Sequence, residues 1–398
     1  MIMNLIKKIL IIFLSAIFTF FAIELYFQIV ERTNLWRVFP TIRPIIGEPD
    51  YEMGYKFTPN ANKIWIKENK NRVIINNYGI NDYEIKDSKF RVVLTGNSMI
   101  EALQVELNKN FENLTENNLQ NHINTLQINN LAMSGHGPLR QLIMLENYGY
   151  PLKPQVAIMY LPISEFILDE LYDDSYNPGY IFVNDSIERG YSFRNRKQIQ
   201  LKDESILFNK LLYLTREVSV IRMMYFLSKK NIFDLLGIKK ATKEIEQQGI
   251  DHSCPSLYMV NHRKLWIEST PIKKSIIANY FFTDLKESTK EQNIKIILFL
   301  DGLTYDKNCD EDSVIRKQVI HQIKAQIKDT NIDLIDLEFE INNLLKEKYE
   351  NFDNSHRKKM LGFGNQLGTG HLNYYGHEIY SKVLTKVIKS YYDNEYEK

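Results

Sequence analysis

The sequence predicts a three-layer α/β/α sandwich on a parallel five-stranded sheet, with an N-terminal transmembrane helix and a helical insertion. Three observations carry that expectation. Five short apolar runs alternate with amphipathic stretches from residue 90 onward. The first thirty residues are almost wholly apolar. The alternation also stalls, over residues 166 to about 270, between the third and fourth runs.

The amino-terminal element comes first. Lys7 and Lys8 precede the uncharged run Ile9 to Ile23, Glu24 interrupts it, and Leu25 to Val30 resume it. A span over residues 5–30 exceeds the roughly 20 residues that cross a bilayer as a helix. Lysines before the run and none just after it set the amino terminus inside. The rest of the chain is then extracytoplasmic (periplasmic), tethered to the inner membrane by a single pass. A cleaved signal peptide and a buried soluble helix are the competing readings, but no A-x-A site sits well at the end of the run. In such a compartment Cys254 and Cys309, the only two cysteines, are able to pair.

Composition narrows the rest. The 398 residues carry 50 Lys+Arg against 49 Asp+Glu, a net charge of +1, which argues against a nucleic-acid partner. Hydrophobic residues at 44% and charged residues at 25% are ordinary for a globular chain, so wholesale disorder is excluded. Two cysteines make neither a disulfide scaffold nor a cysteine zinc cluster.

Residues 31–88 read as a stalk and lead-in. Pro40, Pro44 and Gly47 punctuate the stalk, and from Tyr51 to about Tyr83 aromatic and polar residues alternate between turn signals. That pattern predicts short strands. The main domain, residues 89–398, then begins. Its five predicted strands are Phe90–Thr95, Leu126–Met133, Val156–Leu161, Ile294–Leu300 and Ile332–Leu337. Helices are predicted over Phe111–His122, Leu139–Tyr148, Ile276–Lys290 and Val314–Ile327. Continuous apolar strands separated by helices mean a parallel sheet covered on both faces. The insertion is too long for an ordinary loop. It reads as a polar, tyrosine-rich stretch followed by a helical one over Ile206–Leu236, either a lid or a peripheral decoration.

Ligands of such sheets bind beyond the carboxyl ends of the strands, so the residues there are the candidates. The first strand exits into Gly96-Asn97-Ser98. A glycine near a serine turns the chain tightly and presents the hydroxyl, as a nucleophile requires, although most such serines are turn residues or helix caps. The second exits into Ser134-Gly135-His136-Gly137, where a backbone N–H can face a developing oxyanion. The third exits into Pro162-Ile163-Ser164-Glu165. Near the carboxyl end, Gly368-Thr369-Gly370-His371-Leu372-Asn373 puts an imidazole in a glycine-flanked loop before a helix. His377 reads as a packing or capping residue.

Taken together, in this order, these signals resemble the SGNH hydrolases, or GDSL-like family, of the membrane-anchored bacterial type. The resemblance runs from about Phe90 to Ile388 and includes the lead-in INNYGIND at residues 75–82. It implies an SGNH/flavodoxin-like fold, Ser98 as nucleophile and His371 as its base. It implies an oxyanion hole from the Ser98 and Gly135 amides, with Ser164 where the family has an asparagine. It implies no cofactor and no metal. The family's Gly-Asp-Ser aspartate is Asn97 here. The aspartate that usually stands two or three residues before the histidine is replaced by Thr369 and Gly368. Three arrangements are open: a Ser–His dyad oriented by a carbonyl, a carboxylate from elsewhere with Asp353 as a candidate, or an impaired site.

The expected function is a membrane-anchored serine esterase or O-acetyltransferase acting on acyl esters of cell-envelope polysaccharide. The alternative is a catalytically impaired SGNH-fold protein that binds glycan or scaffolds an envelope assembly.

Overall fold

The computed structural model describes residues 2–33, 46–50, 52–66, 68–163, 179–183, 186–190, 210, 214, 218–223, 271–290, 292–301, 310–364, 367–368 and 370–396. Ser164, Glu165, Thr369, Cys254, Cys309 and most of the stalk and insertion lie outside them.

Helix α1 (Ile2–Arg32) opens the chain. Its stretch Ile6–Val30 has a mean hydropathy of 2.4 and an unburied apolar window, long enough by length and composition to cross a membrane. Glu24, the charge that breaks the apolar run, is not left bare. Its carboxylate accepts from the Val220 backbone N–H at 3.0 Å and from Gln28 at 2.8 Å.

The lead-in folds as two hairpins. Strands β1 (Gly47–Asp50) and β2 (Gly54–Phe57) pair antiparallel, as do β3 (Asn62–Trp65) and β4 (Asn71–Ile74). The short strands expected there are present. Met53, Phe57, Trp65, Val73 and Ile80 of this lead-in are buried in one core with residues of the main domain.

That domain is built on β5 (Phe90–Thr95), β6 (Leu126–Asn130), β7 (Val156–Pro162), β10 (Lys295–Asp301) and β11 (Ile332–Asp336). Between β7 and β10 the described part of the insertion includes the hairpin β8 (Gly179–Val183) and β9 (Ser186–Gly190). The sheet order is β6-β5-β7-β10-β11, all parallel. In chain order this is 2-1-3-4-5, the flavodoxin-like arrangement, whose switch point lies between the first and third strands. Those strands are β5 and β7, the ones that lead into Ser98 and Ser164.

The helices cover both faces. On one, α4 (Pro138–Met144), α5 (Pro271–Thr289) and α6 (Asp310–Ile327) pack on Val93, Met159 and Leu298. On the other, α3 (Phe111–Leu119), α7 (Leu337–Lys348) and α9 (Tyr374–Tyr391) pack on Val92, Ile158 and Ile297. Neighbouring residues of one strand thus serve opposite cores, as the period of two requires. This is why the central strands β5, β7 and β10, buried along their whole length, read as mainly apolar runs.

The second strand is shorter than expected. Its ladder ends at Asn130, opposite Leu94, while Leu131–Met133 stay buried in the exit turn. An apolar run reports burial rather than pairing, which explains the overreach.

Candidate active site

Ser98 starts the short helix α2 (Ser98–Glu101) at the carboxyl end of β5. Gly96 is needed for the turn. A Cβ there would lie 2.9 Å from the Ile100 side chain and 3.2 Å from Tyr160. Asn97 caps α2, its side chain accepting the Met99 N–H at 2.9 Å. The helix end needs an acceptor oxygen there, and asparagine supplies one as aspartate would. The half-buried Ser98 therefore sits where backbone N–H groups are unclaimed by the helix.

The β6 exit is tied to this turn. Met133 N–H donates to Gly96 O at 3.0 Å, and Asn130 Nδ2 to Ile100 O at 2.7 Å. Gly135 follows with φ +74°, a left-handed conformation that glycine adopts without penalty. Neither the Ser98 nor the Gly135 amide is claimed by a hydrogen bond among the described residues. His136 is fully buried with both ring nitrogens unpartnered, and burial holds its imidazole neutral, well below the usual histidine range.

His371 lies in a loop closed by a bridge between Leu361 and Leu372, and its carbonyl accepts Gly362 N–H at 2.8 Å. A carboxylate from the lead-in meets the ring. Glu68 Oε1 is 2.7 Å from His371 Nδ1, and Glu68 Oε2 accepts the His371 backbone N–H at 3.0 Å. A carboxylate accepts, so Nδ1 is a protonated nitrogen in this contact, and Nε2 is the ring nitrogen that Glu68 leaves unengaged. Glu68 occupies the β3–β4 turn with φ 66°, a backbone conformation that costs a non-glycine residue energy and that clusters at functional sites. Only 9% of its side chain is exposed.

The same turn is fastened to the segment after α2. Asn69 Nδ2 donates to Gln104 O at 2.9 Å, and Asn71 Nδ2 donates to Leu103 O at 3.1 Å. From the His371 side, Tyr374 OH donates to Glu106 at 2.7 Å. Hydrogen bonds thus join the Glu68 turn, the α2 exit and the start of α9.

Among the described residues no hydrogen bond joins Ser98 to His371; the network reaches the α2 exit through Asn69, Asn71 and Tyr374. Asp353 caps the short helix α8 (Asn354–Lys358), bonded to Ser355 N at 2.8 Å and to His356. It therefore does not supply the missing acid. His377 is buried, stacks on Phe111 and accepts the Phe111 N–H at 3.2 Å. Burial pushes it down to about 3, so it is a neutral capping residue, as its sequence context suggests. Ser164 and Glu165 lie outside the described residues.

Sequence reasoning missed Glu68. It precedes His371 by 303 residues, and nothing in the composition of a lysine-rich hairpin turn sets one acid apart. The only available signal was negative, the lack of an acid before His371.

No family model matches the chain, and no curated protein matches it. Among solved structures, the acetyl xylan esterase AlAXEase is 14% identical, with 75% of this chain and 100% of that one covered at a TM-score of 0.37. The lipase/acylhydrolase from Enterococcus faecalis is 11% identical, covering 76% and 96% at 0.36. A catalytic mutant of Axe2, an acetylxylan esterase from Geobacillus stearothermophilus, is 11% identical, covering 76% and 95% at 0.37.

Proposed function

We propose that this chain is a membrane-tethered serine esterase or acyltransferase of the SGNH type, with O-acyl esters of cell-envelope polysaccharide as substrate. The observation that carries the reading is the carboxylate of Glu68 on His371 Nδ1. A neutral imidazole held by an acid, with Nε2 left as a base, is what a serine nucleophile requires.

Ser98 Oγ attacks the ester carbonyl while His371 Nε2 takes its proton, and Glu68 stabilises the imidazolium. The Ser98 and Gly135 amides, with the Ser164 hydroxyl, hold the oxyanion. The tetrahedral adduct collapses, His371 protonates the departing alcohol, and an acyl-serine remains. Water, or a sugar hydroxyl, attacks the acyl group and regenerates Ser98. Acetyl is the preferred acyl group. The polysaccharide assignment rests on the long apolar helix α1, which would hold the domain against the envelope.

The full-length protein in detergent is expected to hydrolyse p-nitrophenyl acetate, and Ser98→Ala to fall to the background rate. Equal rates in the two would leave the non-catalytic glycan-binding reading in its place.

A further inference from the structure

Ser134, the residue before the oxyanion glycine, has every polar group committed. Its N–H donates to Glu101 Oε1 at 2.9 Å and its hydroxyl donates to Glu101 Oε2. Its carbonyl accepts from the hydroxyl of Tyr55, a residue of β2 in the lead-in. The Ser134 carbonyl and the Gly135 N–H belong to one peptide unit. The chain has no cis peptide bonds among its described residues. In a trans unit the two groups point to opposite sides of a shared plane. Fixing the carbonyl therefore fixes the direction of the N–H.

Glycine makes such fixing necessary. Gly135 is in the left-handed region, and a Cβ on it would come no closer than 4.0 Å to Arg140 Nη1. The glycine is there for its conformation and not for close packing. A residue with such backbone freedom does not hold its own peptide plane. Glu101 is well placed to do so, because it closes the helical turn that Ser98 opens and is itself 3% exposed. Its backbone carbonyl is held by Asn81 Nδ2 at 3.0 Å. A single turn of helix thus carries the nucleophile at one end and a clamp on the oxyanion loop at the other.

We propose that Tyr55 and Glu101 are positioning residues that aim the Gly135 N–H at the oxyanion. The inference rests on the serine-esterase reading above. Neither side chain touches the reacting atoms. Each acts through Ser134, so the two variants should fail in the same way.

The test is steady-state hydrolysis of p-nitrophenyl acetate by Tyr55→Phe, Glu101→Ala, Glu101→Gln and the Tyr55→Phe/Glu101→Ala pair, in the full-length protein. Tyr55→Phe and Glu101→Ala are each expected to lower kcat by about tenfold to a hundredfold with KM within about twofold, as for a misaimed donor. Glu101→Gln keeps an oxygen for the Ser134 N–H and should recover much of the loss. The double variant should lose far less than the product of the two single losses, because both act on one amide. Unchanged kcat, a loss confined to KM, or fully multiplying losses would overturn the proposal. Tyr55→Phe removes a single oxygen, so it decides the matter even where Glu101→Ala folds poorly. Fluorophosphonate labelling of Ser98 in the wild type separates the two failures. Without labelling the esterase reading fails, whereas labelling with unchanged variant kcat overturns the brace alone.

Discussion

Glu68 holds His371 at two points, the ring Nδ1 at 2.7 Å and the backbone N–H at 3.0 Å. One carboxylate thereby fixes both the tautomer of the imidazole and the place of its backbone. Removing it should cost more than a simple salt bridge would. Glu68→Ala is expected to lower kcat on p-nitrophenyl acetate by about 10³- to 10⁴-fold, the scale for losing the orienting acid of a triad. Asp353→Ala, which only uncaps α8, should leave kcat within about twofold. Loss of activity in the second variant and not the first would reverse the assignment.

Gly370 guards this contact. Its φ is +84°, and a Cβ there would sit 2.9 Å from Glu68 Oε2. Gly370→Ala should combine about 1–2 kcal/mol of backbone strain with displacement of the carboxylate. A drop in Tm accompanied by a kcat loss approaching that of Glu68→Ala is the expected result. A stable, fully active variant would show that the carboxylate need not be there.

Asn97 tests the departure from Gly-Asp-Ser. Its side chain serves as a cap, so Asn97→Asp should retain activity, helped by a negative charge at a helix start. Asn97→Ala removes the acceptor and should lower stability by about 1 kcal/mol. Thermal melts and ester hydrolysis read both effects. Inactivity in Asn97→Asp would show that the amide itself is required.

A buried acid cluster beneath the β6 exit sets the pH dependence of stability. Burial raises Asp82 to about 7 and Glu116 to about 7, and lifts Glu112 well above the usual carboxylate range. These groups bind protons more tightly folded than unfolded, so stability falls as pH rises from their unfolded values through their folded ones. Buried His136 and His377 oppose this only below about pH 6.5, where unfolded histidine takes up protons. The Tm should therefore decline from pH 6.5 upward through pH 8, and less steeply in Glu112→Gln. A rising Tm over that range would contradict the assignment.

Much of the fold was readable because its code is local. β5 runs from Phe90 to Thr95 as the apolar run predicts, and the other four strands fall within a few residues of expectation. The three central strands β5, β7 and β10 are buried on both faces, so continuous hydrophobicity marks them, whereas the edge strands β6 and β11 carry polar residues among the apolar ones. The α4 region shows the limit of periodicity. The pattern reaches Tyr148, but the α-helix ends at Met144 and continues as a wider turn over Leu145–Gly149 that keeps the same face buried. The turns that carry Ser98 and His371 were legible because glycines mark them. The contacts of Glu68, Tyr55 and Glu101 were not, since each is tertiary and leaves no trace in local spacing. Two of the three come from the lead-in, whose Met53 and Trp65 are buried in the same core as the sheet.

The central claim is that Glu68 and His371 activate Ser98. Intact-mass measurement of fluorophosphonate labelling tests it most directly, because no substrate need be known. Wild-type protein should gain one adduct, on Ser98. Ser98→Ala should gain none, and Glu68→Ala should react about 10³-fold or more slowly. No adduct on the wild type, or equal labelling rates with and without Glu68, would contradict the account.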